Sequence, residues 1–355
     1  MVSVSVVIPA RDSQETIRFT VESLWNQTFC PNEVIIVVGS NDFTRLAIED
    51  FIENGFVKMI IADPPCEFIR DAMWRRRVGV EAAKGDVIVF IDSKSIAEKH
   101  AFENVLNMMT VYNASAVAGI TPAWPDQQSN FWASIHDKAL VSNLPKFPKI
   151  GWVTKDNFGM SESLPVTSAF AITKDVYNLV SDDFAVEFSK YGASYEDYVL
   201  SWFIAEKGVQ ILITNQFIAF HKHRLSWKEY STQIGRSGQG AAMMAKMYPA
   251  CPFGTRRIRQ VSMITLAFLL GVVIGIVAIT VYGPMAIGAG LLLSMFGYLV
   301  LGTTNVVKAK EIKAFIFPLF TTLLIINFAL HFTKTYIKTG HRPQEQEMAS
   351  YLQIH

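Results

Sequence analysis

The hydrophobic pattern begins with short apolar runs that are separated by longer segments of helical spacing. The runs are rich in β-branched residues and predict buried strands, whereas apolar residues that recur every three or four positions predict helices. The predicted strands are 3–8, 33–38, 57–62 and 86–91, and the predicted helices are 16–27, 42–54 and 71–84. This alternation predicts a mainly parallel, doubly wound sheet, in which ligands bind at the carboxyl ends of the strands.

Residues 92 to about 224 continue the same α/β domain with a less regular pattern. The later predictions are strands at 116–120, 168–173, 209–214 and 217–220, and helices at 124–144 and 196–206. Polar residues directly follow three of the early strands, at 9–12, 39–42 and 92–95. Because parallel strands end at one edge of a sheet, we expect these three segments to form one ligand site.

From residue 261 onward the pattern changes to three long apolar stretches, 261–282, 285–307 and 314–332, which contain no charged residue. Each is long enough to cross a hydrocarbon core about 30 Å thick as a helix. Basic residues flank the first two stretches on one side: Arg256, Arg257, Arg259, Lys308, Lys310 and Lys313. This asymmetry predicts a membrane hairpin with residues 1–255 and 308–313 in the cytosol.

The third stretch is followed by Lys334, Lys338 and Arg342, which conflict with an exit from the cytosol. This segment therefore either crosses against the charge rule or lies partly in the membrane interface. The predicted organisation is an α/β domain at 1–224, interfacial amphipathic helices at 225–260, an all-α transmembrane region at 261–337 and a polar tail at 338–355. We expect an integral protein of a prokaryotic plasma membrane, with its α/β domain in the cytoplasm.

Composition agrees with this organisation and excludes some partners. Half of the 355 residues are hydrophobic, which is more than an ordinary soluble domain carries. The net charge of +1 gives no reason to expect a nucleic-acid partner. The three cysteines are far apart and predict reduced thiols in a cytosolic domain. The first residues enter a strand at once and lack a basic leader, so we expect no signal peptide there.

Several motifs in the α/β domain carry a family resemblance. They are VSVVIPARDSQETI at 4–17 with Ser23, Leu24 and Gln27 behind it, RRRVGVEAAKGDVIVFIDSKS at 75–95, SYEDYVLSWFIAEKG at 194–208 and FHKHRLSW at 220–227. In this order and spacing they resemble the inverting family 2 glycosyltransferases with a GT-A fold, over residues 3–240. The resemblance implies a nucleotide-sugar donor, a lipid-linked or membrane-proximal acceptor and contact with membrane lipids.

The resemblance also implies which residues hold the donor. They are Pro9, Ala10, Arg11, Asp12, Ser40, Asp42, Arg76, Arg77, Asp92, Ser93, Lys94, His223 and Arg224. Three features depart from the family pattern. The turn at 38–42 is shortened, so the carboxylate that reads the nucleotide base is missing or displaced to Asp42. Arg77 replaces an asparagine, and Lys94 replaces the second aspartate of the metal-binding Asp-x-Asp motif.

The replacement at Lys94 leaves two ways to neutralise the diphosphate that leaves during transfer. In one, Asp92 and a histidine, His221 or His223, hold Mn²⁺ or Mg²⁺. In the other, Lys94 with Arg76 or Arg77 replaces the metal wholly or in part, since an ammonium group neutralises phosphate but cannot bind a metal. We expect His221 and His223 to face opposite sides, so that at most one of them reaches the diphosphate.

Inverting transfer to a hydroxyl group requires a general base on the acceptor side. The resemblance implies Asp197 in this role, with Glu196 as the second choice. The spacing of Ser194 and Asp197 also fits a capping box, in which Asp197 would be structural. We expect Trp227 and Arg236, in the amphipathic segment before the membrane region, to contact the acceptor.

Three other functions are compatible with parts of this pattern. A polyprenyl-phosphate glycosyltransferase would have the same donor site, but its phosphate acceptor would need no base. A catalytically degenerate membrane scaffold would explain Lys94 and the shortened turn at 38–42. The presence of Asp92 and Asp197 argues against this function. A transport component fused to a Rossmann-like domain fits least, because the apolar stretches carry no acidic residue.

Overall fold

The computed structural model describes residues 2–64, 71–138, 150–159, 165–187 and 195–338. The chain forms two compact units. The first is built mainly from residues 1–128 and 144–223, and the second from residues 129–143 and 224–341.

The strands and helices are numbered along the whole chain. The strands are β1 Val4–Pro9, β2 Glu33–Val38, β3 Val57–Ile61, β4 Val87–Ile91, β5 Ser95–Ala97, β6 Ala116–Ile120, β7 Ile150–Val153, β8 Ala169–Thr173 and β9 Ile211–His221. The helices are α1 Ile17–Trp25, α2 Glu49–Glu53, α3 Asp71–Ala82, α4 Ala101–Val111, α5 Phe131–Lys138, α6 Lys174–Glu187, α7 Glu196–Glu206, α8 Trp227–Met247, α9 Pro252–Tyr282, α10 Pro284–Ala309 and α11 Phe317–Lys338. Short 3₁₀ turns occur at Thr44–Ala47, Pro125–Gln127 and Ile312–Ile316.

The first unit contains a mixed sheet in the order β3-β2-β1-β4-β8-β6-β9-β5, with β7 paired to β9. Strands β1 to β4 pair in parallel, as the strand–helix alternation predicts. The second half differs, because β8 is antiparallel to β4 and β6, and β9 is antiparallel to β5 and β7. The α/β fold class is confirmed. The sheet is mixed because partners such as β4 and β8 are distant in sequence and are chosen by packing.

Burial explains why the central strands read as continuous apolar runs. Every residue of β4 is buried, and so are Val4–Ile8 of β1 and Val34–Val38 of β2. A strand that is covered on both faces has no solvent side on which polar residues could alternate. Helix α3 packs closely on this layer, since a Cβ atom added to Gly79 would lie 2.4 Å from Cγ1 of Val7. This close approach fixes α3 beside the carboxyl ends of β1 and β2.

The second unit consists of α5 and α8 to α11. Helices α9, α10 and α11 are each long and apolar enough to cross a membrane. Their most apolar 18-residue windows differ in burial, which is 0% in α9, 6% in α10 and 28% in α11. Large apolar surfaces of this kind are stable only against lipid or another protein. The helices therefore fit the predicted membrane region, with α11 more covered by protein than the other two.

Glycines bring α8 and α11 into backbone contact. A Cβ atom added to Gly238 of α8 would lie 2.4 Å from the carbonyl oxygen of Phe328 in α11, and one added to Gly235 would lie 3.0 Å from the His331 ring. A backbone oxygen cannot rotate away as a side chain can. Any larger residue at Gly238 must therefore push the two helices apart.

We expect Gly238→Ala to destabilise the detergent-solubilised protein by about 1–3 kcal/mol, the usual range for overpacking a tight interface. Thermal unfolding followed by intrinsic fluorescence measures this effect. Gly271→Ala is the matched control, because no atom lies within 4 Å of a Cβ atom added there on α9. Equal unfolding temperatures for the two variants would contradict the close contact.

Candidate active site

Polar contacts tie together the loops that follow β1, β2 and β4. The hydroxyl groups of Ser13 and Ser93 lie 2.7 Å apart. The Asp42 carboxylate accepts hydrogen bonds from the backbone N–H groups of Asp12, at 2.9 Å, and Thr44, at 2.8 Å. These bonds hold the pKa of Asp42 below its ordinary value, although burial alone would raise it. The three segments therefore form one edge, as their places after parallel strands predict.

A buried arginine lies at the centre of this edge. The guanidinium of Arg76, whose side chain is 6% exposed, reaches three carboxylates. Its Nη2 atom lies 3.1 Å from Oδ1 of Asp92, and its Nη1 atom lies 3.7 Å from Oδ1 of Asp197 and 4.0 Å from Oε1 of Glu196. Residues from α3, the end of β4 and the start of α7 thus converge on one charge. Strand β8 lies directly beside β4, and Thr167, just before β8, bonds to Asp197 of α7.

Asp92 is held in its ionised form. Burial alone would raise the pKa of Asp92, but its contact with His221 and the positive charge of Arg76 outweigh burial and leave that pKa well below its ordinary value. The Nε2 atom of His221 lies 3.5 Å from Oδ2 of Asp92. The pairing of Ser95 with His221 places β9 beside the segment that follows β4. A carboxylate and an imidazole therefore stand next to each other at the carboxyl edge.

The expectation that His221 and His223 face opposite sides is wrong. Their ring centroids lie 5.7 Å apart. Residues two apart in an extended strand share a face, and the chain keeps this relation just past the end of β9. Both rings are therefore on the side of the strand end that carries Asp92.

The pKa of Asp197 is shifted in the opposite direction to that of Asp92. Burial raises the pKa of Asp197 to about 6, and the negative charges of Glu196 and Asp92 act in the same direction, against the charge of Arg76. The Thr167 hydroxyl donates a hydrogen bond to Oδ1 of Asp197. The N-cap of α7 is Tyr195, with φ of 105°, and Ser194 lies outside the described residues. The side chain of Asp197 thus points at Arg76 and Thr167.

Two further residues of this edge, Asp63 and Arg75, are absent from the sequence-based set. The backbone N–H of Ser40 donates to the Asp63 carboxylate at 3.2 Å, and Nη1 of Arg75 donates to the carbonyl of Ala10 at 2.6 Å. Hydrogen bonds from Ser40 lower the pKa of Asp63. A Cβ atom added to Gly39 would lie 2.8 Å from both side chains. The place of Asp63 just after β3 is the signal that could have identified it.

The remaining sequence-predicted residues lie in several places. Arg77 pairs with Glu81 along α3 at 2.9 Å. Arg11 and Asp12 form an exposed pair at 3.8 Å. Lys94 is half-buried, and its charge contributes to the low pKa of Asp92. Pro9 ends β1. Arg224, Trp227 and Arg236 belong to the second unit, where the Trp227 ring packs 5.6 Å from that of Trp132 and Arg236 is exposed on α8.

The first unit thus combines a wound half-sheet with antiparallel strands that carry acidic and imidazole groups to its carboxyl edge. A solved structure shows the same fold: the mannosyltransferase PcManGT of Pyrobaculum calidifontis, in complex with GDP-Man and Mn²⁺, matches with a TM-score of 0.60 at 12% identity. The match covers 95% of this chain and 87% of that one. The fold is therefore the GT-A fold of glycosyltransferases.

Residues 5–173 match the family model Glycosyl transferase family 2. A UDP-Glc:alpha-D-GlcNAc-diphosphoundecaprenol beta-1,3-glucosyltransferase, WfgD of Escherichia coli, is 26% identical over 117 residues, which are 33% of this chain and 44% of WfgD. A glucosyl-dolichyl phosphate glucuronosyltransferase of Haloferax volcanii is 32% identical over 137 residues, which are 37% of this chain and 42% of that protein.

The family model covers just under half of this chain, and it confirms the family resemblance that the motifs carry. The chain spans less than half the length of these two relatives.

Proposed function

We propose that the chain is a membrane-bound, inverting glycosyltransferase that moves a sugar from a nucleotide-sugar donor to a hydroxyl group of a lipid-linked or membrane-proximal acceptor. The observation that carries the proposal is the pair of unlike carboxylates around Arg76, one with a depressed pKa and one with a pKa of about 6. The names of the two relatives, which act on undecaprenol- and dolichol-linked substrates, support the acceptor class.

The charges of the site favour a bound cation for the donor. Three carboxylates, Asp92, Glu196 and Asp197, surround Arg76, and Lys94 is a further positive charge that acts on Asp92. An incoming diphosphate would therefore meet a site that is not positive overall. Arg76 is nearly inaccessible and already shared by the carboxylates, so it is poorly placed to replace a metal.

The side-chain atoms that could bind a metal in this site fit Mn²⁺ or Mg²⁺. Oδ2 of Asp92, a carboxylate oxygen of the kind that binds both cations, lies 3.5 Å from the imidazole Nε2 of His221, which is a second possible metal ligand. Cations of this kind are commonly held by one or two side chains together with substrate phosphates and water. When bound, the cation would supply the positive charge that stabilises the leaving diphosphate. Asp92 is already ionised and is therefore ready to bind it.

Asp197 would act as the general base. Its carboxylate accepts the proton of the acceptor hydroxyl as the oxygen bonds to the anomeric carbon, and the bond to the diphosphate breaks on the opposite face. A base with a pKa of about 6 is ionised at neutral pH and more basic than an ordinary aspartate. Thr167 and Arg76 orient it. This base favours a hydroxyl acceptor over a polyprenyl phosphate, which is already ionised.

The proposal is tested by thermal-shift measurements on the purified full-length protein with nucleoside diphosphates, with and without Mn²⁺, alongside a sugar-transfer assay. A ligand at one hundred times its Kd stabilises the folded state by about 2.7 kcal/mol. We expect a shift that requires Mn²⁺, is abolished by EDTA and is lost in Asp92→Asn. The exposed Asp126→Asn is the matched control and keeps the shift.

The other outcomes separate the alternatives. A shift that is insensitive to EDTA would show that Lys94 neutralises the diphosphate without a metal. Nucleotide binding without transfer to any lipid-linked acceptor would indicate a degenerate scaffold. The absence of a shift with every nucleoside diphosphate would overturn the proposal.

A further inference from the structure

Helix α11 is apolar enough to cross the membrane, but its surroundings differ from those of α9 and α10. Asn327 Nδ2 donates to the carbonyl of Ser231 in α8 at 2.7 Å, and Gln239 Nε2 lies 3.4 Å from Nδ1 of His331. One face of α11 is therefore bonded and packed along α8. Its membrane topology must be compatible with that of α8.

The two helices run parallel. Contacts pair residues in ascending order, from Ser231 with Asn327, through Gly235 with His331, to Lys246, whose ammonium lies 5.0 Å from the centre of the Tyr336 ring. The backbones touch at Gly238. Because the two helices are packed together, α11 cannot change its orientation in the bilayer without α8.

Helix α8 is unsuited to the hydrocarbon core. Its exposed face carries Lys228, Glu229, Thr232 and Arg236. A charged side chain at the centre of a membrane helix costs about 2.5–3.5 kcal/mol, and Arg236, which lies midway along α8, would be forced into lipid. If α11 crossed the bilayer, α8 would have to cross with it. The polar face of α8 excludes this arrangement.

Both ends of α11 also lie at polar positions. Just before α11, Glu311 pairs with Lys138 of α5 and with Lys313, the latter at 3.2 Å. At the other end, Lys334 and Lys338 are exposed. The start of α9 is close as well, because the Arg257 guanidinium lies 5.7 Å from the centre of the Phe328 ring. A charged group from the entry of α9 thus contacts α11 midway along its length.

We infer that α11 is an in-plane interfacial helix that binds the leaflet at which α9 enters the membrane. Five of its exposed apolar residues recur at helical spacing and form one stripe, whereas exposed Ile325 lies beside it; the stripe is Leu319, Leu323, Ile326, Leu330 and Ile337. This stripe contacts lipid acyl chains, and Lys334 and Lys338 contact anionic headgroups. Of the helices that the structure describes, α9 and α10 alone then cross, which removes the conflict between Lys334, Lys338 and the charge rule.

Cysteine labelling of the full-length protein in sealed, oriented vesicles tests the inference. In a background without native cysteines, Thr232→Cys marks the side where α9 enters and Met285→Cys marks the turn after α9. Both positions are exposed, as is Lys338 at the end of α11. We expect an impermeant maleimide to label Lys338→Cys from the same side as Thr232→Cys. Labelling from the side of Met285→Cys would overturn the inference.

A depth measurement gives a second readout that does not depend on labelling efficiency. Nitroxides are placed at Leu323, Leu330 and Ile337 of α11 and, as the control series, at Leu266, Ile274 and Val281 of α9; all six side chains are exposed. We expect one shallow depth for the α11 series and a depth that passes through a maximum for α9. A maximum in the α11 series as well would contradict the in-plane helix.

Discussion

Replacing Asp197 by asparagine is expected to lower kcat for sugar transfer by about 10²- to 10⁴-fold, the usual contribution of a general base. Asparagine keeps the size of the side chain and can still accept the Thr167 hydrogen bond, but it cannot take a proton. Nucleotide binding should be unchanged, because Asp92 and His221 are intact. A transfer assay at saturating donor, together with the Mn²⁺-dependent thermal shift, measures both quantities.

The pH profile distinguishes a base from a positioning residue. Because the pKa of Asp197 is raised to about 6, activity should fall as pH decreases through about 6, with the slope of one proton. The variant should lose this limb. Glu206→Gln, at the exposed end of the same helix, is the matched control and should keep both the rate and the limb. If Asp197→Asn retained wild-type activity, Asp197 would not be the general base.

The raised pKa of Asp197 also affects the stability of the folded protein. A carboxyl whose pKa is higher in the folded than in the unfolded state stabilises the fold below the unfolded pKa, and this contribution is lost as pH rises through the folded pKa. Ionised Asp197 therefore opposes folding at neutral pH. Asp197→Asn should not lower the unfolding temperature, which separates loss of activity from loss of structure.

Replacing Arg76 by glutamine is expected to destabilise the protein by about 3–5 kcal/mol, the cost of leaving buried charge without its counterion. Three carboxylates would then face one another with no guanidinium between them. In a unit of roughly 200 residues this corresponds to a fall of roughly 10 °C in unfolding temperature. The loss should shrink as pH falls, because protonation removes the repulsion. Thermal unfolding between pH 5 and 8 measures the effect.

The neighbouring arginine is a matched control for this variant. Arg77 pairs with Glu81 one turn further along α3, and a helical pair of this spacing contributes about 0.3–0.5 kcal/mol. Arg77→Gln should therefore leave the unfolding temperature almost unchanged. If the two variants unfolded at the same temperature, the convergence of carboxylates on Arg76 would be refuted.

Part of the site was predictable from the sequence. Asp92 and Asp197 are singled out by motif position, and the structure brings them together on Arg76. The two roles proposed for these carboxylates stay predictions of the family resemblance, and their pKa values could not be derived from the sequence. A pKa depends on burial and on charges from other segments, and these are set by the fold. The same reason explains why Asp63 and Arg75, which contact Ser40 and Ala10, were not identified.

The sequence by itself determined the α/β class, the parallel direction of the first four strands and the long apolar helices, because these follow from local periodicity and segment length. Only the tertiary structure decided the antiparallel half of the sheet, the burial of Arg76 among three carboxylates and the packing of α11 along α8. Each of these joins segments that are distant in the chain, such as β4 with β8 or Ser231 with Asn327. Local patterns do not specify such pairs, since their energies come from shape and charge complementarity that exists only after folding.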